Sequence, residues 1–76
     1  MKDLLSVLAK ALVDSPEAVS VDEKENGEQV VLELRVADGD MGKVIGKQGR
    51  IAKSIRTVMK AAASRENKKV IVEIVQ

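Results

Sequence analysis

In the run EQVVLELRV, residues 28–36, Val30, Leu32, Leu34 and Val36 fall on one side of an extended chain, and Val31, Glu33 and Arg35 on the other. A period of two with one apolar side describes a strand in a sheet buried on a single face. In a chain of 76 residues that face must be covered by amphipathic helices of the same chain, packed as a second layer.

The helices are legible from period 3.6. Leu4, Leu5, Leu8, Ala11 and Leu12 recur on one stripe, with Asp3 placed to cap the start. Ser15 precedes Pro16, so this helix should stop near Val13. A longer helix runs from about Arg50 to Ser64, with Ile51, Ile55, Val58, Met59, Ala62 and Ala63 on one stripe and Arg50, Lys53, Arg56 and Lys60 over the rest. Between these helices, AVSVDE and EQVVLELRV read as two strands joined at Asn26-Gly27, a dipeptide suited to a tight antiparallel turn. ADGD ends the second strand, and Asp40 can cap a short helix through Ile45. After a polar loop, SRENKK, the β-branched run VIVEIV makes the last strand.

The order is α-β-β-α-α-β in a single domain over residues 1–76. A last strand reached through a two-helix crossover can join the second strand in parallel, and such crossovers are nearly always right-handed. The expected class is α+β: a three-stranded mixed sheet covered on one face by three helices. The other face would show Val31, Ile71 and Val75 beside Glu33, Arg35 and Glu73, a candidate contact surface.

Composition narrows the chemistry. The chain has no cysteine and no histidine, and no serine has an evident base, so neither a disulfide framework nor nucleophilic catalysis is indicated; no metal and no cofactor is expected, and the protein does not read as an enzyme. Its apolar runs fall far short of the ~20 residues that span a bilayer, and no secretory pattern leads it, so a cytoplasmic protein with no membrane partner is expected. A chain below about 80 residues rarely builds a core worth more than roughly 3–5 kcal/mol, which points to modest stability or self-association.

The net charge of +1 conceals a division along the chain. Residues 1–41 hold four basic side chains against ten acidic ones, whereas residues 42–69 hold nine basic ones against Glu66 alone. Such segregation suits a surface that meets a polyanion, although solvated helix faces would also produce it. The basic half contains GKVIGKQGRIAKSIR, residues 42–56, in which Gly46-Lys47-Gln48-Gly49 separates the short helix from the long one. Glycine at both ends permits positive φ and close approach of a ligand, the following helix N-terminus attracts phosphate, and Lys47 and Arg50 add charge at the same place. These features together describe a site for a sugar-phosphate backbone. A plain tight turn between helices is the alternative that G-x-x-G alone would allow.

The element order and the segment VIGKQGR, framed by Val44 and Ile45 before and Ile51 and Ile55 after, resemble a type II K-homology (KH) domain. The signature V-I-G-x-x-G-x-x-I is followed through Gly49, with its last isoleucine supplied one position early by Ile51 and Ala52 next. The longer run GDMGKVIGKQGRIAKSIRTVMKAAA resembles the KhpA family of small bacterial single-domain RNA-binding proteins, and the likeness covers nearly the whole chain.

The resemblance implies that Gly46, Lys47, Gln48 and Gly49 clamp the backbone of short single-stranded RNA beside an aliphatic groove. Val44, Ile45, Ile51 and Ile55 would frame or support that groove; Ile55 reads as core packing ahead of base contact, and Ile51 as either. Arg50 joins the phosphate site, Lys53 is a further candidate whose alternative is solvated surface, and Arg65, Lys68 and Lys69 would flank the groove from the loop at residues 64–69. It also implies a homodimer, a heterodimer with a larger KhpB (Jag, EloR) partner, and roles in post-transcriptional regulation, cell elongation or division, or RNA chaperoning. The other reading from a different class is a protein-interaction module that dimerises or docks through the second long helix or the open sheet face; a helix-turn-helix DNA reader is a weaker third. Walker A and Rossmann spacings are not met by Gly42, Gly46 and Gly49.

Overall fold

The alternating run forms the central strand of the sheet. In a computed structural model, which describes residues 1–75, the elements are α1 (Lys2–Leu12), β1 (Ser20–Asn26), β2 (Gln29–Arg35), α2 (Met41–Ile45), α3 (Arg50–Arg65) and β3 (Lys69–Val75). The strands lie in the order β1-β2-β3, with β1 antiparallel and β3 parallel to β2. This is the expected α+β arrangement, a mixed three-stranded sheet under three helices.

Val30, Leu32 and Leu34 of β2 are fully buried, and Val36 just beyond it is nearly so. They meet Leu5 and Ala9 of α1, Val44 of α2, Ile55, Met59 and Ala63 of α3 and Val70 and Val72 of β3. Each fully buried leucine or methionine there contributes about 1.5–3 kcal/mol. On the opposite face the register places Val31 beside Ile71, Glu33 beside Glu73 and Arg35 beside Val75, the half-apolar surface expected.

Several local expectations shift. Asp3 lies in the first turn of α1 and caps nothing; Met1 holds the cap position. The carboxylate still favours the positive end of the helix. Ala18 belongs to a 3-10 turn at Pro16–Ala18, so β1 starts two residues later than Ala18 and runs through Asn26. Asn26 pairs with Gln29, which makes Gly27-Glu28 the hairpin loop instead of Asn26-Gly27. Gly27 has φ +65 and Glu28 no positive φ, the pattern of a turn that needs glycine only at its first loop position. The helical cover is also incomplete. Glu23 and Glu25 pair with Leu32 and Val30 and so share their face, yet both are exposed: β1 overhangs the helices.

The α3 stripe is narrower than its sequence suggests. Ala52, Ile55, Met59 and Ala63 face the core, while Val58 is 43% exposed. α3 ends one residue later than expected, at Arg65, in a Schellman turn: Lys68 N–H donates to Ala63 O and Asn67 N–H to Ser64 O, with Asn67 at φ +57. The polar loop is thereby reduced to Glu66, Asn67 and Lys68, as β3 already begins at Lys69.

Candidate nucleic-acid interface

The Gly46–Gly49 loop joins α2 to α3 through one 3-10 turn, closed by Gly49 N–H donating to Gly46 O at 3.1 Å. Gly46 takes φ 76 and ψ 174, a region open in practice only to glycine. A Cβ there would stand 2.5 Å from Cγ1 of Ile51. Ile51 therefore folds back over the loop from the first turn of α3 and fixes its shape. Gly49, at φ 73 and ψ 14, precedes α3 in the left-handed region, and no side chain caps the helix N-terminus behind it. Gln48 is also left-handed, at φ 58 and ψ 25. A glutamine held there costs about 1–2 kcal/mol relative to an ordinary helical conformation, strain of the kind that collects at binding loops. Lys47, Gln48 and Arg50 stand in or beside this turn, and all three are exposed.

The aliphatic frame divides by burial. Val44 and Ile55 are in the core and act as supports, Ile51 is partly buried against Gly46, and Ile45 remains 37% exposed beside the loop. Of the frame residues, only Ile45 and Ile51 have surface to offer a ligand.

The basic run is not uniformly available to an anion. Lys43 donates to Asp14 Oδ2 and lies 3.7 Å from Asp40 Oδ1. Asp40, which heads α2, does not cap it. Its buried carboxylate instead accepts the N–H groups of Asp14 at 3.2 Å and Ser15 at 3.0 Å, tying the segment after α1 to the start of α2. Burial opposes ionisation of Asp40, but the two backbone donors and Lys43 outweigh it and hold its carboxyl below the usual aspartate range. The hydrogen bond to Asp14 raises Lys43 above the usual lysine value. Lys43 thus serves the fold, and the free charges near the loop are Lys47 and Arg50.

The residues expected to flank the groove are not beside the loop. α3 has 16 residues, about 24 Å at 1.5 Å per residue, and Arg65, Lys68 and Lys69 sit at the end remote from the loop. Lys68 donates to Glu25 at 3.0 Å, which raises its pKa. Arg65 lies with Leu4, Val58, Ala61 and Ala62 on the α1 side of α3, whereas Lys68 and Lys69 lie with Lys60 and Ile71 on the β3 side. Lys53 is exposed on α3, three residues before Arg56, and the i, i+3, i+7 spacing puts Lys53, Arg56 and Lys60 on one stripe.

Two grooves consequently flank α3. One, of about 370 Å³ against α1, is lined by Leu8, Leu12, Arg50, Ile51, Ile55 and Val58 among others and is almost wholly apolar. The second, of about 210 Å³ against β3, is lined by Arg56, Lys60, Val70, Ile71 and Val72. The sequence by itself reads Arg56 and Lys60 as solvated helix surface. Their shared stripe with Lys53 was the available signal, but which neighbour the stripe faced was not readable.

A family model for "KhpA/KhpB, KH domain" matches residues 2–74. The chain belongs to this KH-domain family. The RNA-binding protein KhpA of Clostridium perfringens is 64% identical over 75 residues, covering 99% of this chain and 100% of the relative. The RNA-binding protein KhpA of Chlamydia trachomatis is 47% identical over 76 residues, covering 100% and 97% respectively. Among solved structures, Era from Aquifex aeolicus bound to GDP.AlF4- superposes with a TM-score of 0.66 at 20% identity, over 96% of this chain and 28% of the Era chain. Era in complex with MgGDPNP and nucleotides 1506–1542 of 16S ribosomal RNA gives a TM-score of 0.60, also at 20% identity, over 96% and 28% of the two chains. At that identity the likeness to Era establishes the shared fold. Among the described residues no helix is long and apolar enough to cross a membrane.

Proposed function

We propose that the chain binds short single-stranded RNA, with Gly46, Lys47, Gln48 and Gly49 holding the sugar-phosphate backbone and the strand then following α3 along its β3 side. The observation that carries this reading is the glycine-bounded loop, whose backbone is open to close approach at an uncapped helix N-terminus beside Lys47 and Arg50. Charge selects the path. A polyanion is attracted to the flank bearing Lys53, Arg56 and Lys60, and gains nothing from the apolar flank against α1. The RNA-binding relatives support the same reading, and the lack of aromatic residues fits a groove that holds bases by aliphatic contact.

Lys47→Asp combined with Gln48→Asp tests it. Both glycines remain, and aspartate tolerates the left-handed conformation of residue 48. Fluorescence anisotropy should show binding of single-stranded RNA lost in the double variant while its circular dichroism is unchanged; retained affinity would overturn the proposal. Competition by duplex DNA that matched single-stranded RNA would favour a helix-turn-helix reader instead. The cellular part of the proposal is cytoplasmic post-transcriptional regulation or RNA chaperoning, with effects on elongation and division. RNA crosslinked to the protein in cells should disappear with the same variant.

A second reading concerns the α1 flank. Leu4, Val7, Leu12 and Val58 are exposed there or beside it, and contiguous exposed apolar side chains mark interaction surfaces. It fits a homodimer, or a heterodimer with a KhpB-like protein, built on α1 and α3. Sedimentation across a concentration series should show self-association that Val58→Asp removes; a wild-type monomer at all concentrations would exclude the homodimer. Met59, which the sequence placed on the same surface, is fully buried, so a change there reports on folding and not on docking.

A further inference from the structure

Arg56 is held in a way that its helical neighbours are not. Its Nε donates to the carbonyl oxygen of Val72 at 3.3 Å. Val72 lies on β3, whose one strand neighbour is β2; Lys69 N–H donates toward that neighbour, to Glu28 O, so by strand alternation the carbonyl of Val72 points to the open edge of the sheet. No hydrogen bond or ion pair among the described residues engages the terminal nitrogens of Arg56. The guanidinium is therefore anchored at one corner, with its terminal N–H donors free, in the groove that Lys60, Val70, Ile71 and Val72 complete. Arg56 stands six residues beyond Arg50, about 9 Å along the α3 axis, so a strand held at the loop and running along this flank passes it within its first few nucleotides.

A planar fork of donors fixed in orientation matches two adjacent acceptors. Among RNA bases, guanine presents O6 beside N7 and cytosine presents N3 beside O2. Adenine places an amino donor next to each ring nitrogen of those edges, and uracil interposes N3–H between its two carbonyls. A phosphate also offers paired oxygens, but Lys53 and Lys60, on either side of Arg56 along the same stripe, supply mobile point charges suited to it. The aliphatic side chains bordering Arg56 suit the face of a base.

We propose that Arg56 is a specificity-determining residue, favouring guanine or cytosine over adenine and uracil at one position of the bound strand. The inference rests on the RNA-binding reading above.

The test uses the full chain and oligouridine octamers in which each position in turn is replaced by adenine, guanine or cytosine, read by anisotropy. One position should prefer guanine or cytosine by roughly 5- to 100-fold, the range of a bidentate arginine-base contact. Arg56→Lys keeps the charge but not the fork; it should abolish the preference at that position while the slope of affinity against salt stays as in the wild type. Arg56→Gln, read at the same position, should also lose the preference, and serves if the lysine variant proves unfolded. Equal binding of all octamers by the wild type, or a preference surviving in both variants, would overturn the proposal. So would a uniform loss of affinity at every position with a reduced salt slope in Arg56→Gln, both restored in Arg56→Lys, the behaviour of a phosphate-binding group. Failure of the RNA-binding reading itself is distinct: no octamer binds the wild type, and both proposals fall together.

Discussion

The two flanks of α3 begin at the same loop and diverge in chemistry. Toward α1, Ile51, Ile55 and Val58 meet Leu8 and Leu12 in an open apolar groove. Toward β3, Arg56 and Lys60 meet the open edge of a strand whose Val70 and Val72 face the core and whose Val72 carbonyl faces the groove. A single helix can do both because 3.6 residues per turn give it three faces, and its third, with Ala52, Ile55, Met59 and Ala63, is spent on the core. The contrast shows that the basic character of the C-terminal half is not a diffuse property. Lys53, Arg56 and Lys60 form a stripe on one side of α3, Arg65 lies on the other, and Lys43 is withdrawn into ion pairs with Asp14 and Asp40.

If the flanks are functionally separate, charge reversal on the β3 side has the largest effect. Lys53→Glu with Lys60→Glu should weaken RNA binding by roughly ten- to a hundredfold per substitution. It should also flatten the salt dependence by about 0.7 for each phosphate no longer neutralised on a single strand. Affinities measured between about 50 and 200 mM salt would check both figures; an unchanged slope would place the strand elsewhere.

Next in size is the variant expected to cross the divide. Gly46→Ala forces a Cβ into Ile51, which belongs to the α1 flank while shaping the clamp. The backbone strain alone is about 1–3 kcal/mol, and urea denaturation should report a loss at least that large together with weaker RNA binding. A fully stable Gly46→Ala protein would mean that the loop relaxes without Ile51.

A smaller effect tests the tie between the two halves. Asp40 is ionised more readily in the folded chain than in the unfolded one, so its contribution is present above the unfolded carboxyl value near 4 and disappears as pH falls through the lower folded value. Asp40→Asn removes the charge but keeps a single acceptor oxygen for two backbone donors. Thermal melts should show a less stable variant at neutral pH whose deficit narrows on acidification below about pH 4; a constant deficit would mean that the ion pairs with Lys43 and the backbone contribute nothing through charge.

The smallest change is expected from Val58→Asp. The side chain is exposed on the α1 flank, so stability should move by no more than about 0.5 kcal/mol and RNA affinity by less than about twofold, while self-association is lost. A large fall in RNA affinity of the monomeric variant would merge the two flanks into one site.

Much of this was legible in residue order. The alternation at 30–36 specified a one-faced sheet, Pro16 stopped α1 as expected, and the G-x-x-G segment between two amphipathic runs located the loop. Periodicity did less well where a residue belongs to a helix but not to its buried face: Val58 and Ala52 differ in phase by amounts that only the position of the sheet resolves. Asp40 reads as a cap because a cap is local, whereas its partners lie 25 and 26 residues away. The hairpin turn moved by one residue for a related reason: its register is fixed by which side chains of β2 must be buried, and Asn26-Gly27 is compatible with either placement.

Residue order alone set the succession of elements, the position of the glycine loop and the segregation of charge along the chain, because each is encoded by neighbours within a few residues. The packing of the elements decided which charges remain free, since Lys43 and Lys68 are taken by acids 29 and 43 residues distant. It also decided which flank of α3 faces α1 and which faces β3. That choice sets the apolar groove apart from the basic one and depends on how the helix rotates to bury Ile55 and Met59 against the sheet.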